Sequence, residues 1–172
     1  MITKDYAITM AAYNRWQNDS LYGAADRLGD EARREARGAF FGSIHGTLNH
    51  VLWGDKIWMH RFAGTPLPRK ETIASSVYEF DDWSDLKAAR AAHDALIENW
   101  AKALDQAWLE GDVSWRSSVV KGMASKPAWF LVVHFFNHQT HHRGQVHAML
   151  TAAGAEPNDT DLFVLPGAKI NE

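Results

Sequence analysis

Apolar residues recur every three to four positions in four long stretches of the chain, which is the spacing of one face of an α-helix. The pattern predicts helices over residues 3–28, 43–62, 82–110 and 127–154. Ser43 suits the N-cap of the second helix, and Pro127 suits the first turn of the fourth. We therefore expect an all-α protein, a four-helix bundle with long inter-helix connections.

Two of the connections are long. Residues 64–81 contain two prolines and little periodicity, and residues 111–126 include SWRSSVV, which could form a short strand or an irregular segment. No internal repeat, low-complexity segment or linker divides the chain. Residues 1–172 are therefore expected to form a single domain.

The fourth predicted helix is unusually rich in histidine. The segment FFNHQTHHRGQVHAML, residues 135–150, holds four of the nine histidines in the chain. At about 100° per residue, His138 and His142 lie roughly 40° apart inside the apolar stripe, whereas His147 lies on the opposite, solvated side. Two buried imidazoles without partners would cost roughly 1–3 kcal/mol per unsatisfied group. A bound divalent ion would remove that cost, so we interpret the pair as metal ligands.

The second predicted helix offers a third ligand. It contains His45, His50 and His60, of which only His50 has mostly small residues beside it on its helix face, among them Gly46 and Gly54. Small neighbours leave room for an imidazole aimed inward. His50 is therefore the preferred third ligand.

Three imidazoles without a thiolate would form an open site. Such a set, here His50, His138 and His142, suits zinc, nickel or iron(II) and leaves coordination positions for water or substrate. Gln145 lies on the same helix face and is a candidate catalytic residue that could orient substrate or a ligand. Arg143 points elsewhere and is expected to be structural.

His93, on the third predicted helix, is expected to be a hydrogen-bonded core residue. Alternatively, it could line the pocket around the predicted metal site. Asn18, on the first helix, could line the same cavity.

The composition excludes several classes of function. The chain has no cysteine, so disulfides, cysteine zinc sites and a cysteine nucleophile are ruled out, and its net charge of -3 argues against nucleic acid as a partner. The longest apolar run, residues 128–136, is too short to cross a membrane, and the first residues do not resemble a signal peptide. We expect a cytoplasmic protein without a membrane partner.

Three segments resemble the DinB/YfiT-like family of metalloproteins: YNRWQNDSLY (13–22), TLNHVLWGDKIW (47–58) and NHQTHHRGQ (137–145). The resemblance implies a four-helix bundle, commonly homodimeric, in which His50, His138 and His142 hold the metal. It also implies kinship with thiol-cofactor-dependent isomerases and S-transferases, in which the metal is thought to activate a low-molecular-weight thiol.

These observations favour a metal-dependent enzyme that activates a low-molecular-weight thiol for transfer or isomerisation of a small-molecule substrate. Because the chain lacks cysteine, the thiol would have to arrive as a small molecule. One alternative is a metal-dependent hydrolase using metal-bound water, although no His-Glu-x-x-His motif supplies a base. A non-catalytic metal-binding or sensing dimer is the other alternative.

Overall fold

Helices make up most of the chain in the computed structural model, which describes residues 1–117 and 120–167. The elements in chain order are α1 (Lys4–Asp26), α2 (Asp30–Arg34), α3 (Ile44–Ala63), α4 (Trp83–Ala103), α5 (Gln106–Glu110), β1 (Asp112–Ser117), β2 (Gly122–Pro127) and α6 (Ala128–Ala152). The all-α prediction therefore holds apart from one small antiparallel sheet. Within the described ranges, no helix combines the length and the apolar character needed to cross a bilayer.

The ends of the long helices follow the expected local chemistry. Ser43 caps α3 as predicted, because its side chain accepts a hydrogen bond from the Gly46 amide at 3.0 Å. Asp82 caps α4 in the same way. Gly64 ends α3 with a φ of +66°, a left-handed conformation that glycine adopts without steric cost.

The structure corrects the predicted third helix. The segment 82–110 is not continuous, because α4 stops at Ala103 and Leu104 adopts an extended conformation. Asp105 then caps the short helix α5 by accepting a hydrogen bond from the Ala107 amide. Leu104 is buried against the core, so the break keeps this side chain inside while the chain changes direction.

The connection at 111–126 forms a β-hairpin rather than an irregular loop. Strands β1 and β2 pair in register from Asp112 opposite Pro127 to Ser117 opposite Gly122. Two residues of the SWRSSVV segment, 118 and 119, lie outside the described part of the chain. Pro127 closes β2 and immediately precedes α6, whereas the pattern had placed it in the first turn of that helix.

The four long helices pack around two apolar clusters. Helix α1 contacts α4 and α6, and α3 contacts α6 and α4. One cluster joins the start of α1 and α6 to the ends of α3 and α4, and the other joins the opposite helix ends.

A layer of buried polar residues separates the two clusters, with members from all four long helices. Arg90 on α4 makes ion pairs with Asp55 at 2.6 Å and with Asp94 at 2.8 Å. Asn14 donates to Asp94, and Gln139 donates to the second oxygen of Asp55. These contacts form in one alignment of the helices only, so the layer favours that alignment. The layer is not fully satisfied, because Arg90 Nε, Asp94 Oδ2 and Gln139 Oε1 are buried without a hydrogen-bond partner among the described residues.

Candidate metal centre

Three histidine side chains from two helices converge near the middle of the molecule. His50 lies on α3, and His138 and His142 lie one turn apart on α6. One ligand nitrogen from each histidine can be chosen so that all three atoms lie within 4.8 Å of one another. The three predicted metal ligands are therefore brought together, and they form a group that could hold a metal ion.

The His50 ring is oriented by a serine from the 64–81 connection. Its Nδ1 atom lies 2.8 Å from the hydroxyl oxygen of Ser76, and that hydroxyl donates its own hydrogen to the Ile73 carbonyl at 2.6 Å. Because the serine proton is already used, His50 must donate through Nδ1. The tautomer that follows places the lone pair on Nε2, which faces His138 at 3.2 Å.

The His142 ring is held in the same way by Gln145, three residues further along α6. The Nδ1 atom of His142 lies 2.8 Å from the amide oxygen of Gln145, which can only accept. This contact again leaves the Nε2 lone pair free. Gln145, predicted to orient substrate or a ligand, thus contacts a predicted ligand directly.

His138 fits into space left by a glycine on the facing helix. A Cβ atom built on Gly54 would lie 2.9 Å from Cε1 of His138, which is closer than real Cβ contacts allow. The sequence indicated that small residues around His50 leave room for an imidazole, and the structure shows that the imidazole using this room is His138. Its Nδ1 atom is buried without a hydrogen-bond partner among the described residues.

The protonation states of the three imidazoles favour binding of a cation. Burial lowers the pKa of His50 and of His138 to about 3, and mutual repulsion with neighbouring histidines adds a smaller effect. Burial also lowers the pKa of His142, although the Gln145 hydrogen bond opposes the shift. At neutral pH all three imidazoles are therefore uncharged and need lose no proton to bind a metal.

The donor set fits a divalent transition metal. Two nitrogens on one tetrahedral zinc, with bonds of about 2.05 Å, lie roughly 3.4 Å apart. The His50 and His138 Nε2 atoms are 3.2 Å apart, close to this value, whereas the three ligand atoms together lie only within 4.8 Å of one another. In the absence of an ion, the 3.2 Å contact requires that His138 carry its proton on Nε2, because otherwise two lone pairs would face each other.

Aromatic side chains cover the centre. The ring of Phe41, which lies in the segment before α3, stacks on His50 with 3.6 Å between ring centroids, and it meets His142 edge-on at 5.3 Å. Trp53 stacks on His50 from α3. These rings keep water from much of the imidazole surface, which strengthens electrostatic interactions there.

Two of the remaining histidines lie beside the cluster: the ring centroid of His134 is 6.1 Å from that of His138, and the ring centroid of His141 is 4.8 Å from that of His142. The other four lie apart from it. His45 is buried and bonds to Asn49, and His60 bonds to the Thr65 carbonyl. His147 is half-buried rather than fully solvated and lines a different cavity. His93 is a core residue as expected, but its Nε2 atom lacks a partner among the described residues.

Two other predicted positions belong to the polar layer. Arg143 is buried and donates to Asn14 on α1, so it joins two helices, as expected of a structural residue. Asn18 donates to Asp94 and lines a cleft near Tyr22, away from the histidines.

The sequence pattern missed two side chains that contact the histidines, Ser76 and Phe41, and one in the polar layer, Asp55. Ser76 and Phe41 lie in segments without helical periodicity, and Asp55 could not be distinguished from a solvated carboxylate. The only local signal for Asp55 is its position next to Gly54, within the segment shared with the DinB/YfiT-like family.

Comparison with known proteins gives one family and one relative. The sequence model of the DinB family matches residues 1–171. The chain is similar to Protein DinB of Bacillus subtilis (strain 168), with 26% identity over 162 residues, covering 93% of this chain and 94% of that protein. No solved structure matches the chain.

Proposed function

This chain belongs to the DinB family, and on that premise we propose that it is a metal-dependent enzyme in which His50, His138 and His142 hold a divalent transition metal. The main support is the convergence of three neutral imidazoles, two of them fixed through Nδ1 so that the Nε2 lone pair is free to bind an ion. Zinc, nickel and iron(II) are the candidate ions for nitrogen ligands of this kind. When bound, the ion would act as a Lewis acid that lowers the pKa of a coordinated thiol or water.

The protein's own groups would position the reactants. Ser76 and Gln145 fix the orientation of two ligand rings, and such outer partners typically change metal affinity by about 10–100-fold when removed. Among the described residues, the amide nitrogen of Gln145 contacts only His141, at 3.5 Å, so it can donate a hydrogen bond to a bound substrate. We propose Gln145 as the candidate catalytic residue on this basis.

Thiol-dependent transfer or isomerisation of a small-molecule substrate is the preferred reaction. The chain supplies no thiol of its own, so a low-molecular-weight thiol would serve as the cofactor. Among the described residues the histidine cluster contains no carboxylate, so it lacks the glutamate base of His-Glu-x-x-His sites, and hydrolysis by metal-bound water is therefore the second candidate. A metal-sensing dimer without catalysis is the third.

We further propose that the four long helices constitute a four-helix bundle, that residues 1–172 form one domain, and that two copies pair as a homodimer in the cytoplasm. The contacts of α1 and α3 with both α4 and α6 support the bundle. Exposed apolar side chains such as Phe40 and Phe163 support an interface between copies.

Metal content of purified variants tests the ligand assignment. The wild-type protein should retain roughly one ion per chain, and His138→Ala should abolish stoichiometric binding. His147→Ala is the matched control, since this residue lies on the same helix but outside the cluster, and it should keep the metal. Equal metal content in the two variants would refute the assignment.

Absorption spectra of the cobalt- or nickel-loaded protein test the thiol. Addition of glutathione, mycothiol or bacillithiol should shift the ligand-field bands if the sulfur binds the metal. If none of the three thiols changes the spectrum, hydrolysis becomes the better proposal.

A further inference from the structure

A cavity of about 460 Å³ lies beside the three histidines, and His50 and His138 form part of its wall. Much of the remaining wall is apolar and aromatic, with the indole rings of Trp53, Trp58 and Trp115 as its largest members. Rigid aromatic walls favour a flat apolar ligand body. The cavity therefore has the composition of a binding site for an organic molecule.

The fixed charges of this cavity are all positive. Arg61 of α3 and Lys126 of β2 line it, and no carboxylate occurs among its described lining residues. A ligand that places a negative charge here would gain attraction from both groups without repulsion from the walls.

Arg61 has hydrogen-bonding capacity that the described residues do not use. Its guanidinium lies over the ring of Trp58 at 4.4 Å and near that of Trp115 at 5.2 Å. Stacking occupies the faces of the group and leaves its N–H donors free at the edges. No hydrogen bond or ion pair to Arg61 occurs within the described ranges, and burial alone lowers its pKa, to about 10, so it still carries its charge at neutral pH.

The spacing along α3 sets the size of the ligand. Arg61 follows Gly54, the residue in contact with His138, by seven positions, which corresponds to roughly 10 Å along the helix axis. Helical side chains tilt towards the N-terminus, so the Arg61 side chain reaches back towards the histidines. A ligand whose charged head group contacts Arg61 and whose reacting atom lies at the histidines would therefore have about the length of one aromatic ring and a short chain.

We propose that this cavity binds an amphiphilic carboxylate, with its apolar, preferably aromatic, body against Trp53 and Trp58 and its carboxylate on Arg61. The inference rests on the proposed function, because the opposite end of the ligand would lie at the histidine cluster. The carboxylate belongs either to the substrate or to the low-molecular-weight thiol, since a thiol such as glutathione also carries carboxylates.

Isothermal titration calorimetry of the zinc-loaded protein tests this inference. The probes are 3-phenylpropionate, its uncharged analogue 3-phenylpropionamide, and glutathione. The acid should bind roughly tenfold more tightly than the amide, because a charge-assisted hydrogen bond is lost in the amide. Arg61→Gln should remove this difference. Arg27→Gln is the matched control, since Arg27 is an exposed arginine at the end of α1 that does not line this cavity.

The outcomes separate the sources of the carboxylate. Arg61-dependent binding of phenylpropionate without glutathione binding assigns the carboxylate to the substrate, and the reverse result assigns it to the thiol. Equal binding of acid and amide, equal effects of the two arginine variants, or no binding of either anion at millimolar concentration would overturn the inference.

Two further measurements keep the test decisive. If circular dichroism shows that Arg61→Gln does not fold, Arg61→Met replaces it, because its unbranched side chain keeps the apolar contact with Trp58 while removing the charge, and an unchanged preference for the acid over the amide would then refute the inference. Zinc content is measured on the same samples. Zinc without anion binding refutes this inference alone, whereas anion binding without zinc refutes the metal proposal alone.

Discussion

Replacement of Gly54 by alanine should weaken metal binding without weakening the fold. Gly54 lies in the middle of α3, where it allows the ring of His138 to approach the helix backbone. It is not itself a ligand. The substitution therefore tests whether the three-histidine arrangement depends on the exact space between α3 and α6.

The size of the effect follows from the distances. A methyl group at Gly54 would lie 2.9 Å from Cε1 and 3.5 Å from Nδ1 of His138. To restore ordinary contact near 3.4 Å, the ring must move by about 0.5 Å, which exceeds the roughly 0.2 Å tolerance of metal–ligand distances. We expect affinity to fall about 10–100-fold, as when an outer partner of a ligand is lost. Alanine favours a helix interior over glycine by about 1 kcal/mol, so the stability of the metal-free protein should not decrease.

Zinc affinity is measured by competition with a chromophoric chelator, and stability by thermal unfolding in the presence of a strong chelator. Gly144→Ala serves as the control, because this glycine lies on α6 two residues after His142 and a Cβ there would meet nothing within 4 Å. It should bind zinc like the wild type. Wild-type affinity in Gly54→Ala would show that His138 does not need its observed position, and the site geometry described above would then be wrong.

Two further predictions concern stability. Asp55→Ala should lower the free energy of unfolding in urea by about 3–5 kcal/mol, because it leaves the buried guanidinium of Arg90 with one partner fewer. Glu98→Ala, which removes a more exposed ion pair, should lower it by under about 1 kcal/mol. Similar losses in the two variants would contradict the role of the polar layer. The metal-free protein should also lose stability as the pH falls from 6.5 towards 5. His50, His93 and His138 have pKa values near 3 in the folded state, so the unfolded chain takes up protons first, at about 1.4 kcal/mol per histidine and pH unit. Constant unfolding free energy across that range would refute the burial argument.

Local patterns predicted most of the helical structure. The recurrence of apolar residues located the four long helices, with errors of one to a few residues at most ends, and Ser43 was correctly assigned as a cap. The pairing of His138 with His142 was equally accessible, because two residues four positions apart on a helix share a face wherever that helix packs.

Other features required the assembled chain. The break at Leu104 and Asp105 depends on which surface buries the leucine, and the hairpin exists because two short segments pair with each other. Neither leaves a periodic signal in one segment. The predicted four-helix bundle and the homodimer stay predictions.

The sequence alone was enough to single out His50, His138 and His142. The spacing of residues along a helix determines which face each side chain occupies, and small neighbours indicate room for an imidazole. Packing alone decided that Ser76 would orient His50 from a non-periodic connection, that Gly54 would make room for His138, and that Asp55 would be buried beside Arg90. The physical reason is how far apart along the chain the interacting residues lie. A helix face is set by neighbours within one or two turns, whereas a hydrogen bond between distant segments exists only after folding has brought them together.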